Sequence, residues 1–110
     1  MSKHAILVSD RAGVIQLWND GAEELFGYTA VEAIGQTLDL IVPEAQRIRH
    51  WAGFRFAMES GKTKMELPAA NLPVKCRDGR VVVFGARLVF LRDAHDEAVG
   101  ALAIYTSQQK

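Results

Sequence analysis

Pro43-Glu44-Ala45-Gln46-Arg47-Ile48-Arg49-His50-Trp51-Ala52-Gly53-Phe54 reads as the opening of one long helix, and that reading decides the fold. Pro43 suits the first helical position, where its missing N–H costs nothing. The helical pattern runs to Ser60 and stops at Gly61. At 3.6 residues per turn, His50, Trp51, Phe54, Ala57 and Met58 share one side, while Arg49, Arg55 and Glu59 point away. Arg47 also falls on the apolar side, but in the first turn, where it can reach solvent. A histidine on the buried side of a helix in a small domain is either a satisfied core residue or a ligand to something held in that core.

Upstream of the helix the pattern is strand-like and then punctuated. Ala5-Ile6-Leu7-Val8-Ser9 and Val14-Ile15-Gln16-Leu17-Trp18 flank the turn Asp10-Arg11-Ala12-Gly13 and form a hairpin. Asn19 or Asp20 caps a short helix through Ala22, Leu25 and Phe26, stopped by Gly27. Thr29 with Glu32 makes a capping box for a second, closed by Gly35. Thr37 to Val42 is a further turn. Downstream, Lys64 to Cys76 is extended, but Pro68 and Pro73 each remove a ladder donor and make it an edge, bulged or broken strand. Arg77-Asp78-Gly79-Arg80 is a hairpin turn into Val81–Leu91, whose even positions Val82, Phe84, Ala86, Leu88 and Phe90 share one face. Asp93 to Glu97 is the next turn and Val99 to Tyr105 the last strand. This order predicts an α+β fold: a five-stranded antiparallel sheet with short helices and one long helix on one face. A cavity between that helix and the even face of Val81–Leu91 is expected, with His50 looking into it.

Composition narrows the function. The 110 residues make one domain, 1–110, and 13 Lys+Arg against 13 Asp+Glu leave no net charge. No basic stripe interleaved with aromatics points to nucleic acid. No apolar run approaches the ~20 residues of a membrane span, and no signal peptide is expected, since Met1-Ser2-Lys3-His4 leads straight into a strand-like run. The single cysteine, Cys76, excludes an intramolecular disulfide and suits a reducing compartment, so a cytoplasmic location is expected. There is no nucleophile elbow, no inward carboxylate pair and no phosphate-cradling loop, so an enzyme is not expected. His4 and His95 make no metal-ligand spacing with His50.

Asp10-x-x-Gly13-x-Ile15-x-x-Trp18-Asn19, Ala22-Glu23-x-Leu25-Phe26-Gly27-Tyr28, Glu32-x-Ile34-Gly35, Val42-Pro43-Glu44, Met58-x-x-Gly61, Arg77-Asp78-Gly79 and Gly100 together resemble the PAS domain family over nearly the whole chain. The resemblance implies a sensory and interaction module that holds haem, flavin, a small metabolite or nothing, and passes a change through its sheet to an output partner. His50 resembles the proximal haem ligand of the oxygen-sensing PAS histidine kinases of nitrogen-fixing bacteria, with Gly53 displaced by one position. Carried over by position, Ala86 and Leu88 fall on the distal wall with Met65 nearby, and the distal arginine that steadies oxygen falls at Ala70. That wall offers oxygen no hydrogen bond, so haem b here implies CO, NO or redox sensing. Cys76 lacks the Asn-Cys-Arg-Phe context of a photochemical flavin site and is expected to be inert. The last strand lacks the Asp-Ile-Thr-like exit motif, leaving open a free-standing protein or a piece of a longer one.

Two functions follow. In the first, a pocket lined by His50, Phe54, Met58, Met65, Ala70, Ala86 and Leu88 receives a small ligand, with haem through His50 as its most concrete form and Arg47, Arg49 or Lys64 as candidates for the propionates. In the second, His50 is a core residue, Trp51, Phe54 and Leu88 fill the pocket, and the module works without ligand through its sheet. Val81, Val83, Val89 and Leu91, with Ala101, Ala103 and Tyr105 on the last strand, are expected to make the outer sheet face apolar. A strand apolar on both faces must be covered on both. That predicts a homodimer through the sheet, or docking of a downstream signalling partner.

Overall fold

In the computed structural model, which describes residues 4–60 and 69–107, Asp10 closes the first hairpin. Its carboxylate accepts the N–H groups of Ala12 and Val14 at 3.0 and 2.9 Å, while Gly13 takes the left-handed φ of 81° that the turn requires. The flanking strands are β1, His4–Asp10, and β2, Ile15–Trp18.

Asn19 joins this hairpin to the first helix, α1, Asp20–Phe26. Its Oδ1 accepts from the N–H groups of Ala22 (2.8 Å) and Ile6 (2.9 Å), and its Nδ2 donates to the His4 carbonyl at 3.0 Å. One side chain therefore caps a helix and pairs a stretch of strand backbone. Gly27, at φ 93°, ends α1 as expected. Thr29 and Glu32 form the anticipated capping box on α2, Ala30–Ala33.

Two 3-10 turns follow, Leu38–Leu40 and Glu44–Gln46, and the second runs into α3, Arg47–Ser60. The long helix thus opens with one tight turn, and Pro43 caps it from just outside (φ −57°, ψ 146°) instead of standing at its first position. The expected stop at Gly61, and Lys64, Met65 and Pro68, lie outside the described residues.

Strands β3, Ala70–Lys75, β4, Val81–Arg92, and β5, Ala98–Thr106, complete one antiparallel sheet in the order β2-β1-β5-β4-β3. Pro73 lies in β3 at the sheet edge, where a missing donor costs least.

The β4–β5 register overturns one expectation. Phe90 lies opposite Ala101, Leu88 opposite Ala103 and Ala86 opposite Tyr105, so these β5 residues share the inner face with the even positions of β4. Ala103 and Tyr105 are buried there. The cause is a bulge between Leu91 and Arg92: Arg92 pairs with Ala98, but Leu91 pairs with Gly100. Without that slip Val89 would oppose Ala101 and the odd positions of β5 would face outward, as first read. One residue of slip exchanges the two faces of a strand. The outer face instead carries Leu102 and Ile104 beside Val89, Val83 and Val81, continued by Val8 and Ile6 of β1.

On the inner face Phe26 meets Trp18, Phe84 and Tyr105 edge to face, with ring centroids 5.7, 5.3 and 5.2 Å apart. This geometry adds to the burial of the rings themselves. The cluster fills the α1 end of the space between helices and sheet. No helix among the described residues is long and apolar enough to cross a membrane.

Asn19→Ala removes a helix cap and strands the Ile6 N–H together. It should lower the unfolding free energy by about 2 kcal/mol in denaturant titration. A loss no larger than that of an ordinary surface substitution would contradict the joint role.

Candidate functional site

Helix α3 roofs the other end of the inner face. Phe54, Ala57 and Met58 turn inward and are buried, Ile48 stays exposed on the outward side, and Phe56 is exposed at the rim of the space beneath. Its first turns are strapped to the Leu38–Leu40 turn through Asp39. The Trp51 indole N–H donates to Asp39 Oδ1 at 2.7 Å, and Arg47 donates to the carbonyls of Asp39 and Val42 at 3.2 Å. Trp51 does not enter the space beneath α3. Its ring lies over Gly13, where a Cβ would collide with it. Trp51 is therefore a packing residue, as its apolar context implied, and it leaves the pocket unfilled.

Beneath α3 lies a cavity of about 570 Å³, in the range that encloses small ligands and cofactors. Its sheet floor includes Leu88, Phe90, Ala101 and Ala103, its flank Leu38 and Ile41, and its roof His50, Gly53, Phe54 and Ala57. Three of the expected pocket residues, His50, Phe54 and Leu88, are brought together on this wall. Met58 and Ala86 are buried in the neighbouring core and do not line it; Ala70, opposite Ala86 on β3, is exposed and does not line it either. Met65 lies outside the described residues. The sequence reading missed Ser9, Ala101, Ala103 and Tyr105, all brought inward by strand register, and the Leu38–Ile41 flank. The signal for the β5 residues was the five-residue span Asp93–Glu97, which admits a bulge beside it.

His50 sits half-buried on the roof. Its ring stacks on Phe54 at 6.0 Å and meets the edge of Trp51 at 4.9 Å. Burial pushes the imidazole below its ordinary value of 6.5, and the Asp39 carboxylate opposes this only in part. The ring is therefore held neutral at physiological pH, the form that ligates a metal. Its Nδ1 is buried without a hydrogen-bond partner. Gly53, one turn on, leaves open the space a Cβ would occupy. Arg49 stands at the cavity's exposed margin. On the floor, burial pushes the Tyr105 phenol up to about 12, so it stays un-ionised.

A wider surface depression of about 720 Å³ runs between the end of α1 and the β3–β4 turn. Its charges are already paired, Arg77 with Glu32 and Arg80 with Asp78, each at 2.7 Å. Cys76 beside it is buried, and burial pushes its thiol up, away from the reactive thiolate. The more apolar cavity under α3, open at its margin, is the better candidate site despite its smaller volume.

The PAS fold family model matches residues 2–105. Over 46 residues, 42% of the chain, it is 48% identical to the sensor protein FixL of Bradyrhizobium diazoefficiens. Over 75 residues, 68% of the chain, it is 32% identical to the oxygen sensor protein DosP of Escherichia coli. In each case the match spans 9% of the relative's length. Among solved structures, the PAS domain of a Colwellia psychrerythraea protein superposes with a TM-score of 0.79 at 26% identity, covering 93% of this chain and 83% of that one.

The depressed His50 value carries a pH signature. As pH falls through about 6.5 the unfolded chain takes up a proton that the folded chain resists, so stability is full above that pH and declines below it. Denaturant titrations near pH 7.5 and pH 5.5 should show a smaller acid loss in His50→Phe than in the wild type. Equal losses would contradict a buried neutral imidazole.

Proposed function

The chain belongs to the PAS family, and on that premise we propose that it is a sensory module whose cavity under α3 receives a small, largely apolar ligand, with haem b bound through His50 as the most specific form. The observation that carries this reading is the neutral imidazole on the roof of an apolar cavity of about 570 Å³. The residues fit a haem. Nδ1 of His50 is enclosed, which leaves Nε2 to ligate. Gly53 leaves room for a flat ligand against the helix backbone, and Arg49 at the margin suits a carboxylate. When bound, haem supplies an iron that can bind a diatomic gas or change oxidation state. This chain's own part is to hold and orient that group, and to exclude water with Phe54, Leu88 and Phe90. The similarity to FixL and DosP supports the reading. Leu88, Ala101 and Ala103 offer bound oxygen no hydrogen bond, and the donors on the sheet side are neutral, the hydroxyls of Ser9 and Tyr105 among them, with no arginine there among the described residues, so CO, NO or redox chemistry is proposed ahead of oxygen. No catalytic role is proposed for this domain.

Ligand entry changes the seating of α3 on the sheet, and the outer face carries the change onward. For this to act as a switch, the ligand must favour one seating over the other. Val81 and Val83 are about half exposed there, at 55% and 48%, beside Val89, Leu91, Leu102 and Ile104. An apolar face of this kind is the surface on which a second copy or a downstream partner docks. The buried Cys76 suits a reducing compartment, and a cytoplasmic setting is part of the proposal.

Protein expressed with adequate haem should show a Soret band that shifts when it is reduced and exposed to CO, and the band should be absent in His50→Ala. A colourless wild type that refuses added hemin overturns the haem form. Light scattering at increasing concentration should show a dimer that Val83→Asp weakens at least tenfold. Identical masses for the two proteins would remove the outer face as a homodimer surface.

A further inference from the structure

Among the described residues, two buried polar side-chain atoms have no hydrogen-bond partner, Ser9 Oγ and His50 Nδ1, and both residues line the cavity under α3. Ser9 comes from β1 on the sheet side and is 1% exposed; His50 comes from the helix side. The register fixes Ser9 inward, since it lies opposite Ala101, and Ala101 lies opposite Phe90 on the same floor. A serine at a buried strand position is worse than alanine unless its hydroxyl finds a partner, because an unmade bond leaves the desolvation of the group uncompensated. Neither neighbour in the ladder can supply one: Ala101 and Ile15 are apolar. The hydroxyl turns about one side-chain torsion, and Ser9 is among the residues that line the cavity.

We propose that the cavity is built for an apolar ligand carrying one neutral hydrogen-bonding group of the hydroxyl class, which pairs with Ser9. This rests on the reading of the cavity as a ligand site and is independent of whether haem enters it. A hydroxyl is the matching class because it can both donate and accept, as Ser9 can, whatever role His50 Nδ1 takes. A charged head finds no partner at this depth: Leu7, Phe90 and Ala101 line the cavity with Ser9, and Arg49, the cation of the wall among the described residues, lies at the exposed margin.

A matched pair of probes tests this in the haem-free protein: 1-naphthol and naphthalene, which differ by one hydroxyl, titrated by calorimetry into wild type and Ser9→Ala. In the wild type 1-naphthol should bind about fivefold more tightly, the factor a typical neutral hydrogen bond gives. In Ser9→Ala that advantage should vanish while naphthalene affinity is retained. The variant should fold at least as stably as the wild type when free, since it loses an unpaired buried hydroxyl. Equal affinities in the wild type, or an advantage that survives in Ser9→Ala, overturn the hydroxyl assignment and leave the cavity reading standing. Binding of neither probe to the wild type overturns both.

Discussion

The slip of one residue between Leu91 and Arg92 governs this molecule. Because side chains alternate along a strand, it decides which set of β5 residues meets the helices. With it, Ala101, Ala103 and Tyr105 face inward opposite Phe90, Leu88 and Ala86. Two alanines in the middle of the floor, beneath a helix that carries Gly53 on its inner side, leave a void that larger side chains would fill. The same slip sends Leu102 and Ile104 outward and makes the reverse of the sheet apolar. Cavity and outer surface are thus two results of one bulge.

The cavity persists because its roof is held from both sides and not from beneath. At one end Phe26, Trp18, Phe84 and Tyr105 form an aromatic wedge that keeps the helical layer off the sheet. At the other, Asp39 holds Trp51 and Arg47, and Trp51 rests on Gly13 of the first hairpin. Interiors ordinarily close on voids to recover dispersion contacts. Here the aromatic wedge and the Asp39 strap hold the roof apart from the floor along the length between them. In the proposed function, a ligand entering there contacts helix and sheet at once, and this is the source of its leverage over the outer face.

Much of this was legible in the residues. Gly13, Asn19, Gly27 and the Thr29–Glu32 box have local causes, and each stands where its chemistry requires. Phe54, Ala57 and Met58 turn inward as helical periodicity required, and His50, Phe54 and Leu88 do meet, but Arg49, expected to point away, stands at the cavity margin and Trp51 lies outside it. Failures came where a local pattern met a long-range one. Ala101, Ala103 and Tyr105 were expected outward, where an unbroken register from the Arg92–Ala98 pair would place them; the bulge that reverses it is a property of the pairing. Ala70 and Ala86 were placed by resemblance to a different pocket, whereas in this sheet Ala86 packs into the core and Ala70 is exposed at the edge. Ser9 escaped notice because nothing in Ala5–Ser9 distinguishes a serine at a strand end from one that lines a cavity.

The central claim is that the space between α3 and the inner face of β4–β5 receives a ligand. It is met most directly by titrating isotope-labelled protein with gallium protoporphyrin, a diamagnetic analogue of haem, and mapping the amide shifts by NMR. The account predicts the largest changes at Ser9, Leu88, Ala101 and Ala103 and along α3 around His50 and Gly53, with smaller ones following on the outer strands. Shifts confined to the outer face would contradict it, whereas none at all at saturating analogue would overturn the haem form alone.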